Sequence, residues 1–188
     1  MSRLARAGEL IGMPIVTLET AATVGEVKDV LVDPGRSRII GFTVRGHGLL
    51  SSPLLGILPG ESIHAIGRDA LMVAAESAIV REREGMAGTL ADQQEVVGKE
   101  VVTAGGASLG TINDVVLEIE GSFAQVVGYE ISRTDGHTVI VAVPLGVPLS
   151  GEALLLPDET EQQAAANGLA GFRDILERAR MSQSGART

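Results

Sequence analysis

Short apolar runs separated by turn residues fill the chain from about residue 8 to residue 158. The runs are rich in Val, Ile and Leu, and they are interrupted by segments such as Asp33-Pro34-Gly35 and Glu120-Gly121-Ser122. β-Branched runs bounded by Gly, Pro, Asp or Ser are typical of strands. The pattern therefore predicts a mainly β protein, with about five or six strands in each half of the chain.

The same strand pattern occurs twice. Residues 24–33 (VGEVKDVLVD) return at residues 109–118 (LGTINDVVLE), and four further blocks recur in the same order. Small changes of spacing between the blocks fall in turn regions, which indicates duplication of one fold. We place repeat 1 at residues 8–84, a linker at 85–90 and repeat 2 at 91–158.

Each repeat is expected to close into a small antiparallel β-barrel, because closure removes exposed strand edges. After repeat 2, apolar residues at helical spacing predict a closing amphipathic helix within residues 159–182. Its stripe consists of Leu169, Phe172, Leu176 and Ala179. The stripe could cover a barrel or pair with another chain, and packing on the core is the favoured alternative.

Both repeats carry one extended motif. It reads Val/Leu-Gly-x-Val/Ile-x-Asp-Val-x-Val/Leu-Asp/Glu, followed by Ile/Val-Gly-Phe/Tyr, Leu/Val-Pro and Ala-Leu-x-Val/Leu. This arrangement resembles the PRC-barrel domain, the family named for the cytoplasmic barrel of the photosynthetic reaction centre H subunit. A related barrel forms the C-terminal half of the ribosome maturation factor. The resemblance implies tandem barrels used for assembly and protein contacts, with no shared catalytic residue.

An acidic residue recurs at the same place in both repeats, as Asp29 and Asp114. Each shares strand parity with apolar neighbours and so interrupts an apolar row. We interpret both as acceptors for backbone N–H groups at a β-bulge. The alternative is an acid of raised pKa, but general acid–base catalysis needs a second positioned group, and neither repeat supplies one at fixed spacing.

One apolar segment distinguishes the two repeats. Repeat 2 has only the polar residues 133–137 where repeat 1 carries a leucine-rich stretch. The candidate interface residues in this stretch are Leu49, Leu50, Leu54, Leu55, Ile57 and Leu58. If exposed, they would form a protein or membrane contact; if buried, they would form core between the barrels or beneath the helix.

Several kinds of chemistry are disfavoured by the sequence. There is no cysteine, so disulfides and thiolate sites are excluded. The histidines, His47, His64 and His137, are too far apart in sequence for a typical zinc pair. No Gly-x-Ser-x-Gly elbow or phosphate-binding loop is present. We therefore expect no catalytic residue, no cofactor, no metal and no enzymatic activity.

The net charge of −9 repels phosphate backbones and disfavours direct binding of nucleic acid. No signal peptide or spanning segment is visible, so we expect a cytoplasmic protein, associated with membranes only peripherally if at all. The leading hypothesis is an adaptor or scaffold with protein partners, with a homodimer left open. The alternatives are a peripheral subunit of a membrane complex and a small-ligand binder that uses the groove between the barrels.

Overall fold

The computed structural model describes residues 2–33, 37–46, 56–80, 91–92, 96–143, 153–158, 160 and 168–185. Within these residues the chain forms thirteen strands and one α-helix near its C-terminus. The elements are β1 (Arg3–Arg6), β2 (Pro14–Thr17), β3 (Thr23–Asp33), β4 (Arg38–Arg45), β5 (Gly56–Pro59), β6 (Ile63–Ile66), β7 (Leu71–Val73), β8 (Ala91–Asp92), β9 (Glu100–Thr103), β10 (Ser108–Glu120), β11 (Phe123–Ser132), β12 (Thr138–Ala142), β13 (Ala153–Leu156) and α1 (Gly168–Gly185). The predicted mainly β class with a C-terminal helix is confirmed. The predicted linker, residues 85–90, lies outside the described residues.

The strands belong to one sheet that runs through both repeats in the order β13-β9-β10-β11-β4-β3-β2-β7-β6. Two long antiparallel hairpins, β3–β4 and β10–β11, form its centre and meet where Gln125 pairs with Arg38. The pairs β2–β7 and β9–β13 are parallel. The expectation of two closed antiparallel barrels therefore needs correction: the described strands form a curled half-barrel sheet, in which β4 and β11 pair at one residue position.

The two repeats exchange their first strands. β1, at the start of the chain, pairs antiparallel with β10 of repeat 2. β8, at the start of repeat 2, pairs antiparallel with β3 of repeat 1. Each long strand therefore receives a neighbour from the other half of the chain, and β1 lies before the predicted start of repeat 1 at residue 8.

A single apolar cluster is shared by both repeats. Val27, Phe42 and Val44 of repeat 1 belong to the same buried cluster as Ile112 and Ile131 of repeat 2. The cluster is almost wholly aliphatic, as the low aromatic content predicts. Removing this apolar surface from water is the main stabilising contribution, at roughly 25 cal/mol per Å².

The helix α1 covers the outer face of repeat 2. Phe172 is fully buried against Val116, Val127 and Ile140. The half-buried apolar residues that surround this contact are Leu4, Ala142, Leu169, Ile175 and Leu176. Leu169, Phe172 and Leu176 of the predicted stripe thus pack on the protein itself. The described helix spans Gly168–Gly185, and the predicted start near residue 159 stays a prediction because residues 161–167 lie outside the described residues.

Candidate functional site

The leucine-rich segment of repeat 1 is described only at its C-terminal end. Ile57 and Leu58 lie in β5 and are buried, and Ile57 also forms an isolated bridge with Val80. These two residues are therefore core. Leu49, Leu50, Leu54 and Leu55 lie outside the described residues, and their role as an interface stays a prediction.

Both repeated aspartates stand at a break in strand register. In repeat 1, Val27 pairs with Val44 and Asp29 with Thr43, so one extra residue, Lys28, is inserted into β3. In repeat 2 the corresponding extra residue of β10 is Asn113. An inserted residue changes which side chains point inward, because strand side chains alternate. Accordingly, Val27 before the register break and Val30 and Val32 after it all belong to the buried core.

The aspartate side chains bind backbone N–H groups at these breaks. Asp29 is 4% exposed and accepts the N–H of Val30 at 2.7 Å. Asp114 accepts the N–H of Val115 at 2.7 Å and that of Gly8 at 3.1 Å. Burying a polar backbone group without a partner is costly, so the carboxylates stabilise both bulges. The bond to Gly8 also connects the two halves of the chain.

Burial raises the pKa of the Asp114 carboxyl above its usual value, and the charge of Glu130 acts in the same direction. The N–H donors of Gly8 and Val115 and the charge of Arg6 oppose this rise. The shift has a structural cause, namely removal of the carboxyl from water next to a second carboxylate. A raised pKa alone therefore does not assign Asp114 a catalytic role.

A polar cluster lies across β1, β10 and β11, on the same side as Asp114. Glu130 is 6% exposed, and its Oε2 accepts a hydrogen bond from Arg6 Nε at 2.6 Å. Arg6 Nη2 forms an ion pair with the same oxygen. Its Oε1 accepts Asn113 Nδ2 at 3.0 Å. Arg6 Nη1 also reaches Glu9 at 3.5 Å. The buried carboxylate is thus neutralised by a residue from the other half of the chain, which buried charges require.

Sequence reasoning missed this cluster. The available signal was Glu130 itself, a charge inside the otherwise apolar run from Val126 to Ile131. Its cation could not be identified in the same way, because Arg6 is 124 positions away. Only the exchange of β1 brings the two together.

A cleft of about 480 Å³ lies between the two repeats. Ile39, Ile40 and Ile63 of repeat 1 form one wall, and Phe123 and Ala124 of repeat 2 form the other. The hairpin end that carries Phe123 is fixed in place, because the carbonyl of Gly121 accepts the N–H of Ile66 at 2.9 Å. Gly121 has φ +62°, a left-handed conformation that glycine adopts without strain. The rim carries the exposed charged residues Arg38 and Glu61.

Equivalent positions in the two repeats differ in how they are covered. β11 contains Val127 as an extra residue at a second register break, and β4 contains Ile40 at the matching break. Val127 is buried in the cluster around Phe172 of α1. Ile40 is half-exposed and faces the cleft. The position that α1 covers in repeat 2 is therefore accessible in repeat 1.

Two structural findings concern other kinds of site. Within the described ranges, no group of three or more His, Asp or Glu residues could hold a metal ion. His64 is exposed in β6 and His137 is exposed beside a turn, while His47 is outside the described residues. Among the described elements no helix is long and apolar enough to cross a membrane.

The matched bulges, the parallel pairs β2–β7 and β9–β13 and the shared core define a duplicated, mainly β protein. The family model of the PRC-barrel domain matches the chain twice, at residues 3–78 and 90–161. The chain therefore belongs to the PRC-barrel family and carries two of its domains in tandem, which confirms the resemblance found in the sequence. Comparison with curated proteins gave no significant match.

Proposed function

We propose that this tandem PRC-barrel protein is a non-enzymatic adaptor or scaffold, and that it binds a protein partner at the cleft between its repeats. The observation that carries the proposal is the exposure of Phe123. The chain has four aromatic residues, and Phe42, Phe172 and Tyr129 are all buried. Phe123 alone is 54% exposed, in one wall of a cleft to which both repeats contribute.

An exposed phenyl ring next to isoleucines is a favourable contact for a partner. Burying a Phe side chain contributes roughly 1.5–3 kcal/mol relative to leaving it in water. Aromatic side chains in the centre of an interface often provide most of its affinity. The cleft therefore combines apolar walls that contain Ile40 and Phe123 with a charged rim that contains Arg38 and Glu61.

Internal symmetry supports an apolar partner segment. In repeat 2, the site equivalent to Ile40 is covered by Phe172 from an amphipathic helix. A partner that presents an apolar stripe of this kind would cover the repeat 1 site in the same way. The net charge of −9 favours a partner with a positively charged surface around that stripe.

Two alternatives remain as proposals of lower rank. The cleft volume of about 480 Å³ is within the range of small-molecule sites, which supports a small ligand in the inter-repeat groove. A membrane-peripheral role depends on the leucines at 49, 50, 54 and 55, which the structure does not describe. Cytoplasmic localisation is proposed with the adaptor role.

Photo-crosslinking tests the adaptor proposal. A benzophenone amino acid would replace Phe123 and, as a matched control, the exposed Met181 on α1. After irradiation of cells, we expect a discrete protein adduct from position 123 that is absent from position 181. A Phe123→Asp variant, still folded by circular dichroism, should lose the same partner in affinity capture.

The other outcomes separate the alternatives. An adduct of twice the chain mass would identify a second copy as the partner. Equal labelling at both positions, or none at position 123, would contradict a protein contact at the cleft. A thermal shift with a metabolite, abolished by Phe123→Asp, would instead favour the small-ligand alternative.

A further inference from the structure

The reciprocal exchange of β1 and β8 has the same register on both sides. Ala5 pairs with Leu117, and the equivalent residues Ala91 and Val32 pair in the same way. Arg6 pairs with Val116, and the equivalent residues Asp92 and Leu31 pair in the same way. Backbone pairing is alike at the two junctions, so it does not distinguish one first strand from the other. Any selection between them must come from side chains.

The residues beside the two junctions differ in charge. At the β10 junction the incoming strand brings Arg6, and the receiving repeat offers Glu130 and Asn113. At the β3 junction the incoming strand brings Asp92. The receiving positions that correspond to Glu130 and Asn113 are Thr43 and Lys28, from the matching register. The incoming strand thus carries a positive charge at the β10 junction and a negative charge at the β3 junction.

We propose that the cluster of Arg6, Glu130 and Asn113 determines which repeat each first strand joins. On the β10 edge it accepts a strand with arginine opposite Val116 and rejects one with aspartate. An aspartate there would stand beside Glu130, and it would leave the nearly buried Glu130 without its cation. Arg6 on the β3 edge would meet Lys28, the uncharged Thr43 and Asp29, whose carboxylate accepts a hydrogen bond from the N–H of Val30.

The state of Thr43 agrees with this assignment. Thr43 is buried, and within the described part of the chain its Oγ1 has no hydrogen-bond partner. Thr43 itself therefore supplies no carboxylate that would hold a guanidinium. Glu130, at the matching position of repeat 2, uses both oxygens to bind its neighbours. The two acceptor edges are chemically distinct although their backbones match.

The absence of cysteine from the chain allows a clean disulfide test. Leu4 lies opposite Glu118, and both are only partly buried, so the pair Leu4→Cys, Glu118→Cys reports β1 on repeat 2. Directly opposed residues of antiparallel strands are within disulfide reach. Asp33 is the repeat 1 counterpart of Glu118, and the pair Leu4→Cys, Asp33→Cys reports β1 on its own repeat.

With native charges, we expect an intrachain disulfide from the Leu4, Glu118 pair and none from the Leu4, Asp33 pair. Arg6→Glu should lower the rate of the first disulfide at least about tenfold, as a change of about 1.4 kcal/mol in pairing would. Adding Glu130→Arg, which restores an opposite pair, should recover the rate. Circular dichroism on the reduced proteins checks that each variant is folded.

The reversal separates selection from general stability. The proposal would be overturned if a folded Arg6→Glu variant formed the disulfide of the Leu4, Glu118 pair as fast as the protein with native charges. A failure of Glu130→Arg to restore the rate while the double variant is folded would also overturn it. If Arg6→Glu does not fold, Arg6→Leu, which removes the charge without repulsion, is expected to give an intermediate rate; an unchanged rate would count against the proposal.

Discussion

Polar residues within the apolar strands lie where the strand register breaks and where the two halves of the chain are in contact. Asp29 and Asp114 could be located from the sequence, because a carboxyl at an inward position breaks the alternation of side chains. The structure shows a register break at each, with backbone N–H groups bound to the carboxylate. The contact of Asp114 with Gly8 could not be anticipated, because it depends on how two distant segments meet.

Gly8 and Asp114 should show strong energetic coupling. A Cβ on Gly8 would lie 2.6 Å from Asp114 Oδ2, so Gly8→Ala must displace the carboxylate and break its 3.1 Å bond to the Gly8 N–H. We expect Gly8→Ala to lower the free energy of unfolding by about 1–3 kcal/mol. In an Asp114→Ala background the clash is gone, and the further cost should be a few tenths of a kcal/mol. Urea denaturation of the four proteins measures the cycle, and additive costs would contradict the coupling.

At the scale of elements, α1 shows what periodicity can and cannot predict. The spacing of Leu169, Phe172 and Leu176 predicted a stripe that packs on the core, and all three belong to the cluster over repeat 2. The predicted start near residue 159, suggested by capping residue types at Asp158 and Thr160, stays a prediction because residues 161–167 lie outside the described residues. The described part of the helix starts at Gly168, which has φ +62°.

Truncating the buried aromatic residue of α1 should be costly. Phe172 fills the space above Gly128, where even a Cβ would come within 2.6 Å of its Cζ atom. We expect Phe172→Ala to lower the free energy of unfolding by about 3–5 kcal/mol. Met181→Ala, at a position 68% exposed on the same helix, should change it by less than about 0.5 kcal/mol. Similar urea midpoints for both variants would show that α1 is not an integral part of the fold.

For the whole molecule, the sequence predicted two copies of one fold but not how the strands of the two copies pair. The matching segments at 24–33 and 109–118 predicted two copies of one fold, and the family match confirms two domains. The sequence does not say which edge a strand will join, because strand propensity and side-chain alternation are the same for either partner. The sequence therefore predicted neither the continuous sheet with exchanged first strands nor the cleft around Phe123.

The shared core predicts that both repeats unfold together. Tyr129 is the only tyrosine, there is no tryptophan, and Tyr129 lies in repeat 2. Ile15→Ala removes a fully buried side chain of repeat 1. We expect it to move the Tyr129 fluorescence transition and the far-ultraviolet transition to lower urea by the same amount. Leu154→Ala in repeat 2 is the matched control, and a Tyr129 transition left in place by Ile15→Ala would show independent repeats.

The exchange of β1 and β8 also fixes when the chain can finish folding on the ribosome. Domains usually fold as units while they are being synthesised, N-terminal part first. Here β1 leaves the ribosome long before β10, to which it belongs, and β3 leaves before β8. The first half of the nascent chain therefore waits, with two sheet edges unpaired, until the second half has emerged.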